Sequence, residues 1–260
     1  MLKRFAQFVR HHDWFAVAIE VLVLIVGLVL AFQIDRWRED RADRLQEQAY
    51  VKRLIIDIEA DIVTLKYAIE IASLRLGFAN LLVDVVRDPA AAEEKPSQFL
   101  VAVEQSSYTY TPSLTSHTFE VLRSTGNIGL ILNQDIIDGL FDYYGFDEGQ
   151  RQYRPLQLAT EHRHFELSAG VLSLEQSMRI QDAWLIVAPD EIEEINQASA
   201  DMDEVAGAVE RLRARPDLVA WLPNIRGLQL EQKFVHELRL TRAQSVLDAL
   251  NDYRIEMEGR

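Results

Sequence analysis

The sequence contains no cysteine and little proline or glycine. Of its 260 residues, seven are proline and eleven are glycine. The absence of cysteine excludes disulfide bonds and metal sites built on thiolates, and it is compatible with an oxidising or a reducing compartment. The scarcity of proline and glycine favours long helices joined by a few loops over many short strands with turns.

Basic residues are also in the minority. The chain has 27 Lys and Arg against 41 Asp and Glu, which gives a formal net charge of −14. Because phosphate binding relies on patches of Lys and Arg, this balance argues against a nucleic-acid partner. Apolar residues make up 48% of the chain, so a sizeable core can be buried in one large domain or two small ones.

One long apolar run lies near the amino terminus. Residues 15–34 contain only two strongly polar side chains, Glu20 and Gln33. At about 1.5 Å per residue, this helix would cross the roughly 30 Å hydrocarbon core of a bilayer. Trp14 and Trp37 flank the run as interfacial anchors. One alternative is a cleavable signal peptide, but its apolar region is usually about 7–15 residues long. The other is a buried core helix, but such helices rarely lack polar residues over so many turns. We therefore predict an uncleaved transmembrane helix at 15–34, preceded by a basic amphipathic segment at 1–14.

Small residues and the one ionisable residue share a face of this predicted span. On a helical wheel, Ala16, Glu20, Gly27 and Ala31 fall within about 60° of one another. Gly27 and Ala31 have the small-xxx-small spacing that lets two helices approach closely. We expect this face to contact another copy or another membrane protein. The alternatives are that Glu20 reaches the headgroups and Gly27 is incidental, or that Glu20 relays protons.

The flanking charges give two opposing indications of orientation. Counting Lys and Arg alone places the carboxyl-terminal side in the cytoplasm, because that flank carries Arg36, Arg38, Arg41 and Arg44. A short basic amino terminus followed by an apolar run is instead typical of a signal anchor, and large domains translocate largely regardless of charge. On that basis we predict a single-pass protein with its bulk outside the cytoplasm.

The rest of the chain has helical patterning. Residues 35–87 contain no proline and carry apolar residues at three- and four-residue steps, which predicts a long amphipathic helix. We expect residues 88–260 to form a helical extramembrane domain. The stretch SSYTYTPSLTSHTF has strand-like composition, but it is short and contains Pro112, so we interpret it as an extended loop.

Local signals predict further helix boundaries within residues 88–260. Gly126 is suited to end a helix that starts at His117, and Asn133 to begin one that Gly145 ends. Further helices are expected from Glu148 or Pro155 to Arg179, as two short helices between Asp190 and Arg215, and from Asn224 to Met257.

Two blocks of the sequence resemble a family of uncharacterised bacterial single-span, membrane-anchored helical proteins. The first is EVLVLIVGLVLAFQIDRW, with Glu20 near the start of the span. The second is TFEVLRSTGNIGLILNQDIIDGLFDYY, with Glu120 and Leu122, the STGN turn, and a Tyr-Tyr pair at Tyr143 and Tyr144. The blocks cover 45 of the 260 residues. The resemblance implies a bacterial inner membrane and a mostly helical domain, and it implies no activity.

The stretch EHRHFE is the densest group of metal-binding residue types. His162 and Glu166 share one helical face, and Glu161 and His164 share another. The two histidines lie about 200° apart, so they cannot bind one ion together, and the His-Glu-x-x-His zinc motif is absent. We interpret the stretch as a solvated helix face and predict no metal site.

Aromatic residues cluster in FDYYGF and SYTYT. Packing between helices is the default interpretation of FDYYGF. If a small molecule binds, we expect its site to be lined by Tyr108, Tyr110, Tyr143 and Tyr144, where rings and hydroxyls mix.

The sequence as a whole predicts an all-α protein, with one transmembrane helix that continues into a long helix and then a helical bundle. The predicted function is noncatalytic assembly, as a homo-oligomer or a subunit of an inner-membrane complex, with no cofactor. Its partners would be the lipid bilayer and itself or another membrane protein. The apolar stripes can pack within one chain or between chains. The alternative is a tethered sensory or ligand-binding module; an enzyme is not predicted.

Overall fold

The computed structural model describes the backbone of residues 14–183 and 187–259, and the side chains of residues 18–183 and 187–259. Within these ranges the chain is 86% helical and has no strand, which confirms the predicted all-α fold. The predicted basic segment at 1–14 lies outside the described residues except for its last member. The side chains of Trp14 and Ala16 also lie outside them.

The first helix, α1, extends from Trp14 to Arg87 and is 74 residues long. It contains both the apolar run and the amphipathic stretch, without a break between them. Proline is absent from it, so no backbone N–H is lost. Its most apolar 18-residue window has a mean hydropathy of 2.3 and none of it is buried. This part of α1 is long and apolar enough to cross a membrane.

Contacts divide the chain into two units, one up to Lys52 and one from Arg53 onward. In the first unit, every described side chain from Ala18 to Gln46 is exposed. In the second unit, α1 is followed by α2 (Ala90–Glu94), α3 (Pro96–Gln105), α4 (His117–Thr125), α5 (Gln134–Arg151), α6 (Arg154–Ser168), α7 (Leu174–Ala183), α8 (Ile192–Gln197), α9 (Met202–Arg213) and α10 (Pro216–Glu258).

Two groups of helices make up the second unit. The long α10 packs against α5 and α6, and α3 packs against α7, α8 and α9. A continuous apolar core joins the second group to the last turns of α1 and the start of α10; its members include Phe78, Leu82, Val85, Phe99, Ile195, Val209 and Leu222. Between α3 and α4, residues 106–116 run without regular structure, as the sequence predicts.

Two of the predicted local boundaries are confirmed. Gly126 follows α4 in the left-handed conformation, with φ of 77°, which a residue without a Cβ adopts at little cost. Asn133 caps α5, because its side-chain oxygen accepts hydrogen bonds from the backbone N–H groups of Asp135 and Ile136.

Three other predicted boundaries are wrong. Gly145 does not end α5, which continues to Arg151; a glycine inside a helix costs only about 1 kcal/mol, and the neighbouring Tyr144 and Asp147 are buried. The helix expected to reach Arg179 is interrupted after Ser168, where Gly170 has a φ of 80°. The third error concerns α10.

Helix α10 begins at Pro216 rather than at Asn224. Pro216 is in the first turn, where its missing N–H would have no helical partner in any case. Pro223 lies inside the helix, where proline costs about 3 kcal/mol. Burial of Leu218, Leu222 and Ile225 around it offsets that cost, since each buried aliphatic side chain contributes roughly 1.5–3 kcal/mol.

Candidate functional site

The face predicted for helix association is uncovered. Glu20, Gly27 and Ala31 are all exposed. A Cβ built on Gly27 would meet no atom within 4 Å, so no described part of the chain approaches the helix there. Trp37, the predicted anchor, is also exposed, and the guanidinium of Arg41 lies 5.8 Å from its ring centre.

The extended segment 106–116 enters the interior of the second unit. Ser106 and Ser107 are completely buried, and Leu114 is nearly so. A buried segment outside helices and sheets must find other partners for its backbone groups. Helix α10 supplies several of them: Gln229 Nε2 donates to the carbonyl oxygens of Ser106 and Tyr108, each at 2.9 Å.

Helix α10 carries a polar layer between two apolar stretches. We use this name for Gln229, Gln232, His236 and Arg239, which recur at three- and four-residue steps and are each at most 3% exposed. His236 Nε2 lies 3.0 Å from the carbonyl oxygen of Tyr110, which can only accept, so this nitrogen carries the proton. The polar layer therefore holds the extended segment through side-chain donors.

Asp61 of α1 fixes the other end of the segment. It is 1% exposed, and its two oxygens accept hydrogen bonds from the Thr115 N–H at 2.7 Å and the Tyr143 hydroxyl at 2.9 Å. The Tyr144 hydroxyl donates to the carbonyl oxygen of Thr115 at 3.0 Å. Burial raises the pKa of Asp61, and the bonds from Thr115 and Tyr143 oppose that rise.

Burial also raises the pKa of both tyrosines, more strongly for Tyr143, and the charge of Asp61 adds to the effect at both. Their phenols therefore stay protonated and act as donors. The sequence prediction that these rings pack in the core is confirmed, because Tyr144 stacks on Phe119 with ring centres 4.6 Å apart.

The EHRHFE stretch is solvated on one face only. His162 and Glu166 are exposed as expected, whereas Glu161 and His164 are buried, so the prediction is wrong for that pair. His164 Nε2 lies 3.2 Å from the carbonyl oxygen of Val103, in the last turn of α3. Carbonyls in a last helical turn lack an intrahelical donor, which explains why a buried histidine is held there.

Glu161 belongs to a small charged cluster. Arg154 Nη1 lies 3.2 Å from its carboxylate, and the Thr109 hydroxyl bonds to both Glu161 and Arg154. Arg75 of α1 is buried nearby, and the charge of Glu161 acts on it. Burial lowers the pKa of Arg75 to about 10. Its Nη1 has no hydrogen-bond partner among the described residues.

A buried ion pair links α5 to α10. Arg239 Nη2 lies 2.5 Å from a carboxylate oxygen of Asp147, and Arg151 lies 3.0 Å from the other. Arg239 and Asp147 are both almost fully buried. Such a pair is costly to break, because removing one partner leaves the other charge without compensation.

The four tyrosines expected at a ligand site are separated. Tyr143 and Tyr144 lie together with ring centres 4.8 Å apart, beside Asp61. Tyr110 contacts Tyr67, and Tyr108 contacts Phe165. The second unit has surface cavities of about 230, 150 and 510 Å³. Of these tyrosines, Tyr108 lines the 150 Å³ cavity, and the other three line none of these cavities.

The polar layer of α10 was not predicted. The signal for it is four large polar residues at helical spacing, where the flanking turns carry leucine, isoleucine and valine. Among the described residues, no group of three or more His, Asp or Glu side chains could hold a metal ion. Comparison with known protein families, curated proteins and solved structures finds no match for the chain.

Proposed function

We propose that the protein is a noncatalytic, membrane-anchored assembly protein that acts as a homo-oligomer or as a subunit of a larger complex. The observation that carries this proposal is the uncovered apolar part of α1, where residues 18–34 are exposed on every side of the helix. So large an apolar surface is stable only against lipid or against another protein. Lipid is therefore its first partner, and a neighbouring helix its second.

The face that contains Glu20, Gly27 and Ala31 is the proposed site of helix association. The space above Gly27 is open, so a second backbone can approach closely. A carboxylate in the span is costly, by about 2.5–3.5 kcal/mol at the centre and less toward an end. A protein neighbour that offers a donor to Glu20 reduces that cost more than acyl chains do.

The interior of the second unit supports a scaffold rather than an enzyme. Asp61, Glu161 and His236 carry side chains of types that can transfer protons, and all three are buried. Each of them binds a residue of the extended segment, at Thr115, Thr109 and Tyr110 respectively. We infer that their role is to fix this segment within the bundle.

Paired substitutions test the assembly proposal. Gly27→Leu and Ala31→Leu add bulk on the proposed face, whereas Ala18→Leu adds it on the far side of the helical wheel. We expect the first two to reduce the cross-linked oligomer several-fold and the third to leave it unchanged. The measurement is native mass spectrometry and cross-linking on detergent-extracted protein. A wild-type chain that is monomeric and captures no membrane neighbour would contradict the proposal.

We further propose that the membrane is a bacterial inner membrane and that the second unit lies in the periplasm. The support is the sequence resemblance and the signal-anchor pattern of Lys3, Arg4 and Arg10 before the apolar run. Protease added to intact spheroplasts should then cleave within residues 53–260. If cleavage requires lysis of the inner membrane, the second unit lies in the cytoplasm and the proposed orientation is wrong.

A tethered ligand-binding module is the second candidate function, and one observation favours it. Tyr108, a residue of the extended segment, lines a cavity together with polar side chains of three helices. A ligand there would contact the same segment that the polar layer of α10 holds. Binding could therefore be transmitted to α10 through the bonds from Gln229.

A further inference from the structure

The 150 Å³ cavity at Tyr108 is small and largely polar. A water molecule takes up about 30 Å³, so the space suits a compact molecule of a few non-hydrogen atoms rather than a chain segment. Its walls come from the end of α3, the end of α6 with the following turn, and α7. The side chains with polar atoms are Glu104, Tyr108, Ser168, Ser177 and Gln181.

Glu104 is the charged group in this cavity. Its carboxylate accepts hydrogen bonds from the Ser177 hydroxyl and from Gln181 Nε2, the latter at 3.3 Å. No Lys, Arg or His among the described residues forms an ion pair with it. Partial burial raises the pKa of Glu104. The cavity thus contains a partly desolvated carboxylate without a cation.

Aromatic rings and the surrounding charges also favour a cation. The rings of Tyr108 and Phe165 meet at the wall with centres 5.1 Å apart and planes at 60°. Aromatic rings attract cations placed over their faces. Three charged groups act on the Tyr108 phenol. Two of them, Glu104 and Glu161, are negative, and one, Arg75, is positive. The protein as a whole, with a net charge of −14, concentrates cations at its surface.

We propose that this cavity binds a small organic monocation with a primary ammonium group. The ammonium donates to the free lone pairs of Glu104, and the attached carbon atoms contact the rings of Tyr108 and Phe165. A divalent metal ion fits less well, because Ca²⁺ takes about 6–8 oxygen ligands and the cavity offers one carboxylate. The inference rests on the ligand-binding alternative and names its ligand class.

Ethylammonium chloride is the probe for this site, with sodium chloride at equal ionic strength as the reference. We expect full-length protein in detergent to show a saturable rise in thermal midpoint with ethylammonium alone. Glu104→Gln keeps the shape of the side chain and removes its charge, so the apparent affinity should fall at least tenfold. Glu166→Gln makes the same charge change on the exposed face of α6 and should leave affinity unchanged.

A second variant keeps the proposal testable if Glu104→Gln fails to fold. Phe165→Leu retains an apolar side chain and removes one ring, and it should weaken binding several-fold. The proposal is overturned if wild type shows no saturable shift, if sodium gives the same shift, or if Glu104→Gln binds as wild type does. Cross-linking the same samples reports on assembly separately, so either proposal can fail without the other.

Discussion

At the scale of single residues, the interior of the second unit is notable for ionisable side chains held in one protonation state. His236 donates from Nε2 to Tyr110 while it is almost completely buried. Burial and the adjacent charge of Arg239 lower its pKa from 6.5 to about 4. Burial lowers the pKa of His164 as well. Both rings are therefore neutral in the folded protein near neutral pH.

These histidines predict that stability falls as the pH is lowered from about 6.5 to about 4. In that window the unfolded chain binds protons that the folded chain does not, so acid favours unfolding. At about 1.4 kcal/mol per pKa unit, His236 accounts for at most about 3.5 kcal/mol. Asp61, with its raised pKa, acts in the opposite direction: its contribution is full in acid and is lost as the pH rises through its folded pKa.

The measurement is the urea midpoint at several pH values between 7 and 4.5, on wild type and His236→Gln. Glutamine can still donate to Tyr110 but does not titrate. The variant should therefore lose less stability than wild type over this range. Parallel pH profiles for the two proteins would show that His236 is not responsible.

The hydroxyl of Tyr143 gives a second prediction at this scale. Tyr143→Phe leaves one oxygen of the buried Asp61 without its donor, and a lost bond of this kind costs about 1–3 kcal/mol. Tyr153→Phe is the control, because Tyr153 is 54% exposed and surface changes usually stay within about 0.5 kcal/mol. Equal free energies of unfolding for the two variants would argue against the Asp61–Tyr143 bond.

At the scale of elements, α10 binds the extended segment while packing on α5 and α6. The polar layer is the part of α10 that makes these bonds, and apolar residues on both sides, such as Leu222 and Val246, pack in the core. We expect Gln229→Leu to leave the carbonyls of Ser106 and Tyr108 without donors and to raise amide hydrogen exchange across residues 106–116.

Gln244→Leu is the matched control in the same helix, since Gln244 is exposed. Hydrogen exchange followed by mass spectrometry resolves the segment from the rest of the chain. We expect local protection to drop at least tenfold for Gln229→Leu, which corresponds to about 1.4 kcal/mol of opening free energy. Unchanged exchange in residues 106–116 would mean that other bonds suffice to hold the segment.

The boundaries of helices show where local sequence is sufficient. Asn133 caps α5 with its own side chain, so the residues that set this helix start lie within three positions of one another. Gly145 and Gly170 are both glycines in helical surroundings, yet only Gly170 lies where a helix has ended. Close to Gly170, Arg215 donates to the carbonyl of Leu167 at 3.0 Å from 48 residues away. No local pattern contains that contact.

At the scale of the whole molecule, the uncovered apolar part of α1 predicts membrane localisation. Leu24→Arg combined with Val26→Arg places two charges in the middle of the proposed span, where each would cost about 2.5–3.5 kcal/mol. The chain should shift from the membrane fraction to the soluble or degraded fraction. Leu156→Arg combined with Leu174→Arg adds the same charge at exposed positions of the second unit and should have no such effect.

Fractionation with alkaline carbonate extraction distinguishes these outcomes. A wild-type chain recovered in the soluble fraction would contradict the membrane anchor directly. Retention of the first double variant in the membrane, at wild-type level, would place the anchoring interaction outside residues 18–34.

The helical class, the apolar run and the caps at Gly126 and Asn133 can be predicted from the sequence, because each depends on residues a few positions apart. The burial of individual polar side chains depends instead on tertiary contacts. Glu161 and His162 are adjacent in the chain, yet Glu161 lies in the core and His162 in solvent. Glu161 and the other buried residue of this stretch, His164, have distant partners. Glu161 bonds to Thr109, 52 residues away, and His164 bonds to Val103, 61 residues away. Helical periodicity is a local property, whereas burial depends on which distant segment packs against each face.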